Sequence, residues 1–128
     1  MVGITNKAAR TLYISCCQKL VSLESAPIRV SESLFIYNCK NLKEINANIR
    51  KAKKLSCISC TGMTSLKGAP KEIKNIEILG CISLKSFVGL PNKIDGNFSA
   101  SDINSNSLIG APEYVGGNVN IKYFKKLN

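Results

Sequence analysis

Apolar residues recur along this chain with a long, regular beat. Leu12, Leu34, Leu55, Ile76, Phe98 and Val119 each open a similar phrase, and the gaps between them are 22, 21, 21, 22 and 21 residues. A period of that length marks a solenoid, whose units stack only on their neighbours. Counted from each opening residue, further apolar positions fall two, five, eight and eleven places on. The first unit has Leu12, Ile14, Cys17, Leu20 and Leu23, and the second has Leu34, Ile36, Cys39, Leu42 and Ile45. The third runs Leu55, Cys57, Cys60, Met63 and Leu66, and the fourth Ile76, Ile78, Cys81, Leu84 and Phe87. The fifth has Phe98, Ala100 and Ile103 and rejoins the pattern at Leu108, one residue early; the sixth has Val119 and Ile121, then Phe124 and Leu127.

The apolar–polar–apolar opening is a strand signal. A 21-residue spacing also fits three heptads, but a coiled coil fails on the recurring breaker. Ser25-Ala-Pro27, Gly68-Ala-Pro70, Gly89-Leu-Pro91 and Gly110-Ala-Pro112 would interrupt any helix. Between breaker and next opening lies one more apolar position: Val30, Ile73, Ile94 and Val115. The expectation is a β-rich solenoid of about six coils. Each has one parallel strand, a tight corner and an irregular return arm, with strands about 4.8 Å apart and a block on the order of 30 Å tall. Residues 1–11 are expected to form an N-terminal cap, with Ile4 and Ala8 packing over Leu12 and Ile14, and residues 12–128 a single repeat domain. The second unit departs from the others. It has Ile49 where proline is due, then the basic run Arg50-Lys-Ala-Lys-Lys54, a stretch able to form a helical turn.

The motif Leu-x-Ile-x-x-Cys-x-x-Leu, at Leu12–Leu20 and again at Leu34–Leu42, resembles a leucine-rich repeat of the cysteine-containing type. The tails Ser65-Leu-Lys-Gly-Ala-Pro70 and Ser107-Leu-Ile-Gly-Ala-Pro112 are similar to short Ser-Leu-x-Gly-Ala-Pro repeats of bacteriophage proteins. The resemblance implies a platform for protein binding, in a phage protein that binds and inhibits a host or defence component. It also implies that Cys17, Cys39, Cys60 and Cys81, at one shared offset, form a structural ladder along the corner, each thiol bonding loop backbone.

Composition narrows the chemistry. The 128 residues suffice for one core, and 45% of them are hydrophobic. Eighteen Lys and Arg against eight Asp and Glu give a net charge of +10, a field that attracts anionic partners. Arg50, Lys51, Lys53, Lys54, Lys71 and Lys74 are expected on a basic flank formed by the return arms. A nucleic-acid-binding accessory protein is therefore an alternative reading, although single-strand binding favours basic and aromatic residues in one groove. Lys122, Lys125 and Lys126 on the last strand oppose end-to-end stacking. With no histidine in the chain, Ser-His and Cys-His nucleophile systems are absent, and an enzyme is not expected. Glu77 and Asp102, at outward offsets of neighbouring strands, are the one candidate carboxylate pair. Cys57-x-x-Cys60 and Cys16-Cys17 raise zinc as an alternative, but neither completes a tetrahedral set, and no metal or cofactor is expected.

No apolar run approaches the ~18 residues of a membrane span. The N-terminal stretch lacks a secretory layout, so a cytoplasmic location with reduced cysteines is expected: the host cytoplasm, if phage-encoded. In that setting the sequon at Asn97-Phe-Ser is a coincidence of composition. The strand faces carry the functional expectation. Tyr13, Phe35, Tyr37, Ile58 and Leu79 fall on outward offsets of the first four strands and should stack into one exposed apolar patch. Such a patch binds another protein, host or self. A homodimer, a self-assembling structural subunit, and coverage by the chain's own N-terminal segment are the competing uses.

Overall fold

The computed structural model describes residues 7–23, 28–105 and 107–122. Ile4, the Ser25-Ala-Pro27 breaker, Phe124, Lys125, Lys126 and Leu127, all given roles by the repeat, lie outside these residues. The described chain contains eight strands and no helix: β1 (Lys7–Ser15), β2 (Ile28–Tyr37), β3 (Lys51–Ile58), β4 (Glu72–Leu79), β5 (Lys93–Ile94), β6 (Phe98–Ser101), β7 (Tyr114–Val115) and β8 (Val119–Lys122). Six form one sheet in the order β1-β2-β3-β4-β6-β8, and β5 pairs with β7 in a second. Every pairing is parallel. The chain is a parallel β-solenoid.

The long period dictates the register. Leu12, Leu34, Leu55, Ile76, Phe98 and Val119 pair in one row across the main sheet. The residues two places on form the next inward row: Ile14, Ile36, Cys57, Ile78, Ala100 and Ile121. Six strands joined by five connections make about five coils rather than six, because a coil needs a return arm as well as a strand. The basic run after Arg50 is not a helical turn either. Lys51–Ile58 is β3 throughout, with Lys51 and Ala52 paired to β4 and Lys54–Ile58 paired to both β2 and β4. In the same way β1 starts at Lys7, within the segment expected to be a cap. Ala8 is exposed on that strand instead of packing over Leu12.

The core is one continuous column. Leu34, Leu55, Ile36, Cys57 and Ile78 come from the strands, and Leu42, Met63, Leu84, Ile45, Leu66 and Phe87 from the return arms; all are completely buried. Each such aliphatic side chain stabilises the fold by about 1.5–3 kcal/mol. Phe98 brings a large ring where other units have Leu, Ile or Val, and the residue two places on shrinks to Ala100. The space is shared with Phe87, whose ring meets Phe98 edge to face at 5.2 Å. Leu12 and Ile14 in the first described strand are half-buried and Val119 in the last is exposed; among the described residues each has a paired strand on only one side.

Two corners turn each coil. The first follows the strand directly: Cys16, Asn38, Ser59, Gly80 and Asp102 all have positive φ, between 54° and 70°. One residue later a carbonyl accepts a turn hydrogen bond from the amide three residues on, as in Cys39 to Leu42 (3.2 Å), Cys60 to Met63 (3.1 Å) and Cys81 to Leu84 (3.0 Å). The second corner carries the Gly-x-Pro breaker. Gly89 there has φ 115°, and a Cβ on it would collide with the Leu66 carbonyl and lie 2.7 Å from the Lys67 nitrogen. Only glycine meets both conditions.

A second ladder runs just upstream of the opening row. The Asn75 side-chain oxygen accepts the Asn97 amide N–H, and the Asn97 oxygen accepts that of Asn118, each at 2.8 Å. A side chain on Gly96 or Gly117 would strike the Asn75 or Asn97 oxygen respectively. These glycines admit the ladder and interrupt the strand, which is why β5 and β6, and β7 and β8, are separate where β3 and β4 are continuous.

Candidate functional site

The alternation of the strands puts every second side chain on the outer face of the main sheet. Two adjacent outward rows carry the candidate patch. The first is Tyr13, Phe35, Ser56, Glu77, Ser99 and Asn120, and the second is Ser15, Tyr37, Ile58, Leu79, Ser101 and Lys122. Tyr13 and Phe35 pack with ring centroids 5.5 Å apart and an interplanar angle of 48°, and Phe35 meets Tyr37 at 6.5 Å. Tyr13 is 70% exposed and Tyr37 41%, while Ile58 and Leu79 are half-buried beside Tyr37 along its row. Tyr13, Phe35, Tyr37, Ile58 and Leu79 thus share one apolar stripe across β1–β4. Beyond β4 the face becomes polar.

Next to the stripe lies a polar patch with different chemistry. The Ser56 hydroxyl donates to Glu77 Oε1 at 2.8 Å, and Lys54 Nζ lies 3.7 Å from the same oxygen. Ser56 is fully buried despite its outward offset, because its neighbours in the row are Phe35 and Glu77 and its hydroxyl turns to the carboxylate. With Asn75, Asn97 and Ser99, Lys54 and Glu77 line a hollow of about 370 Å³. Glu77 is thus engaged by Lys54 and Ser56, while Asp102 sits at the left-handed corner after β6.

The basic residues divide. Lys54 belongs to the strand face, paired in register with Ser33 and Asn75, and not to the return-arm flank. Arg50 pairs with Glu72 at 3.6 Å and Lys53 with Glu32 at 3.2 Å. Such exposed pairs are worth about 0–1 kcal/mol each, and each offsets one positive charge locally. Lys51, Lys71 and Lys74 are exposed on the flank. The one lysine set over an aromatic ring among the described residues is Lys93, 5.2 Å from the Tyr114 centroid.

Of the four cysteines at the corner offset, three are buried and one is exposed. Cys39, Cys60 and Cys81 are buried, and each thiol points to a carbonyl of the preceding coil: Ile14 at 3.8 Å, Ile36 at 3.7 Å and Cys57 at 3.5 Å. Cys17 holds the same offset but is exposed; its thiol donates to Ser15 O at 3.5 Å and lies in hydrogen-bond contact with the Cys39 thiol. Burial pushes the Cys57 thiol well above its ordinary pKa. Cys81 is raised by the adjoining Cys60 thiol and by burial. Cys16 shifts the other way: hydrogen bonds from Ser15 Oγ (3.6 Å) and Asn38 Nδ2 (3.5 Å), with Lys40 nearby, lower it. Among the described residues no three Cys, Asp or Glu side chains are grouped to hold a metal ion, and no helix is long and apolar enough to cross a membrane. Compared with known proteins, the chain matches no family model, no curated protein and no solved structure.

Proposed function

We propose that this chain is a leucine-rich-repeat-like, non-enzymatic interaction module whose strand face docks on another protein. The carrying observation is the Tyr13–Phe35–Tyr37 ring series continued by Ile58 and Leu79. Aromatic anchors on a rigid sheet have little conformational entropy to lose on binding, and they dominate interface energetics. The adjoining Lys54–Glu77–Ser56 patch supplies the polar contacts that orient a partner. The leucine-rich-like reading draws support from the buried corner thiols bonded to the preceding coil. By the resemblance of the Ser-Leu-x-Gly-Ala-Pro tails to phage repeats, the partner is a host or defence component. The lack of histidine and the engagement of Glu77 by Lys54 favour docking over catalysis. The nucleic-acid reading has less support, because Lys54 leaves the flank and Arg50 and Lys53 are paired with acids.

The test replaces Tyr37 and Ile58 together by Asp and places a photo-crosslinking residue at position 13 or, as a control, at position 71 on the flank. The expected result is one host protein crosslinked from position 13 only. Its capture falls at least about thirtyfold in the double variant, the loss of one hot-spot residue or more, while the circular dichroism spectrum is unchanged. Capture that survives the double substitution, or crosslinks equally from position 71, refutes the reading.

A further inference from the structure

The one coil that drops its proline builds a second surface feature, remote from the aromatic stripe. At the upstream ends of β1, β2 and β3 a groove of about 480 Å³ is lined by Ala8, Ala9, Arg29, Val30, Ser31, Ile49, Arg50 and Lys51. Ile49 and Val30 are buried and Ala9 half-buried, so they form an apolar floor. Ala8 and Ala9 leave β1 low beside it: their partners in β2 are Arg29 and Val30. Arg29, Arg50 and Lys51 are exposed along the rim. Glu72, which pairs with Arg50 at 3.6 Å, is not part of the wall.

We propose that this groove binds a small amphiphilic carboxylate, its tail on Ala9, Val30 and Ile49 and its head group among Arg29, Arg50 and Lys51. Guanidinium forks match a carboxylate in bidentate fashion, and an apolar floor favours an alkyl chain over a ligand that needs further hydrogen bonds. The volume corresponds to roughly sixteen waters at about 30 Å³ each, room for a fatty acid of about ten carbons. Eight lining residues fall far short of the roughly 800 Å² per side that a stable protein interface needs. The occupant is therefore a free small molecule and not a macromolecule. The departure from the repeat explains the site: Ile49 supplies floor where a proline ring belongs, and Arg50 and Lys51 follow it directly.

The experiment is a titration of the full chain, labelled at Ile, Leu and Val methyl groups, with sodium decanoate. Saturable shifts at Val30 and Ile49 are expected. Decyltrimethylammonium, with the same tail and opposite charge, should leave those methyls unmoved. The pair R29Q and R50Q should weaken decanoate at least about tenfold, as expected for lost charge-assisted hydrogen bonds, whereas K71Q with K74Q removes equal charge with little effect. The methyl spectrum of each variant reports that it is folded. No shift up to the solubility limit, an equal response to the cationic detergent, an equal loss in both charge variants, or shifts confined to Ile58 and Leu79 each overturn the proposal. Substituting Tyr37 and Ile58 should leave decanoate binding intact, so this site and the docking face succeed or fail separately.

Discussion

Alkaline pH should weaken this fold through a single thiol. Cys57 lies in the inward row between Ile36 and Ile78 and is completely buried, and that burial holds its pKa well above the ordinary value. In the unfolded chain the same thiol ionises near ~8.5. Above that pH the unfolded state binds fewer protons than the folded one, so stability falls as pH rises. The contribution is fully present below about pH 8.5 and disappears at up to about 1.4 kcal/mol per pH unit beyond it. Between pH 7.5 and 10 the loss integrates to about 2 kcal/mol, a large share of the ~5–15 kcal/mol that typically holds a domain together. Lysines, tyrosines and other cysteines titrate in the same range, so the measurement is a difference. Cys57→Ala costs a roughly pH-independent 1–2 kcal/mol of lost packing and removes the titrating group. Urea unfolding of both proteins, under reductant and followed by circular dichroism, should show their stability difference shifting by about 2 kcal/mol from pH 7.5 to pH 10, enough to close the initial gap or reverse it. Parallel curves across that range would refute the reasoning.

Two further tests address the corners. Gly89→Ala combines left-handed strain of about 1–2 kcal/mol with a backbone collision of about 1–3 kcal/mol. Urea unfolding should register a loss of roughly 2–5 kcal/mol, and a loss below about 0.5 kcal/mol, the scatter of ordinary surface substitutions, would show that the coils shift apart freely. Iodoacetamide mapping by mass spectrometry should modify Cys16 and Cys17 rapidly in the native state, and the other four cysteines only on unfolding. Cys16 should react first and at a lower pH than an ordinary thiol, given its donors Ser15 and Asn38; native labelling of Cys60 at a comparable rate would contradict the buried ladder.

The repeat made the fold legible because stacking leaves little choice. Once Leu12, Leu34 and Leu55 recur at nearly equal spacing, the parallel register and the inward rows follow. The corners were less legible. Cys16, Asn38, Ser59, Gly80 and Asp102 share one left-handed conformation but five residue types, so no single letter repeats to mark the position. Their outward offset was visible; the conformation that makes the chain turn there was not. Ser56 and Lys54 show a different limit. Alternation says which face a side chain leaves from, but not that Ser56 is covered through its bond to Glu77, or that Lys54 is drawn to the same carboxylate. Cys17 escaped because an offset describes a unit, whereas burial depends on what is stacked against it. The groove was signalled by the missing proline at Ile49, but its depth comes from Ala8 and Ala9, a strand away and about forty positions earlier in the chain.

The asparagine ladder has a bearing on aggregation. A β-solenoid can grow into endless fibres when the last strand of one copy pairs with the first strand of the next, here β8 with β1. From Asn75 onward, each new rung requires that the residue two before the opening position have no side chain, as Gly96 and Gly117 do. In β1 that place, two before Leu12, belongs to Arg10. A second copy stacked in register on β8 would bring the arginine Cβ against the Asn118 side chain, where the chain's own sequence allows only glycine. In the pose of Asn75 and Asn97, the Asn118 side chain would accept a glycine-bearing strand and clash with the protein's own first strand. Removing the Arg10 side chain lifts that clash, so R10G should promote end-to-end association, seen as scattering that rises with protein concentration.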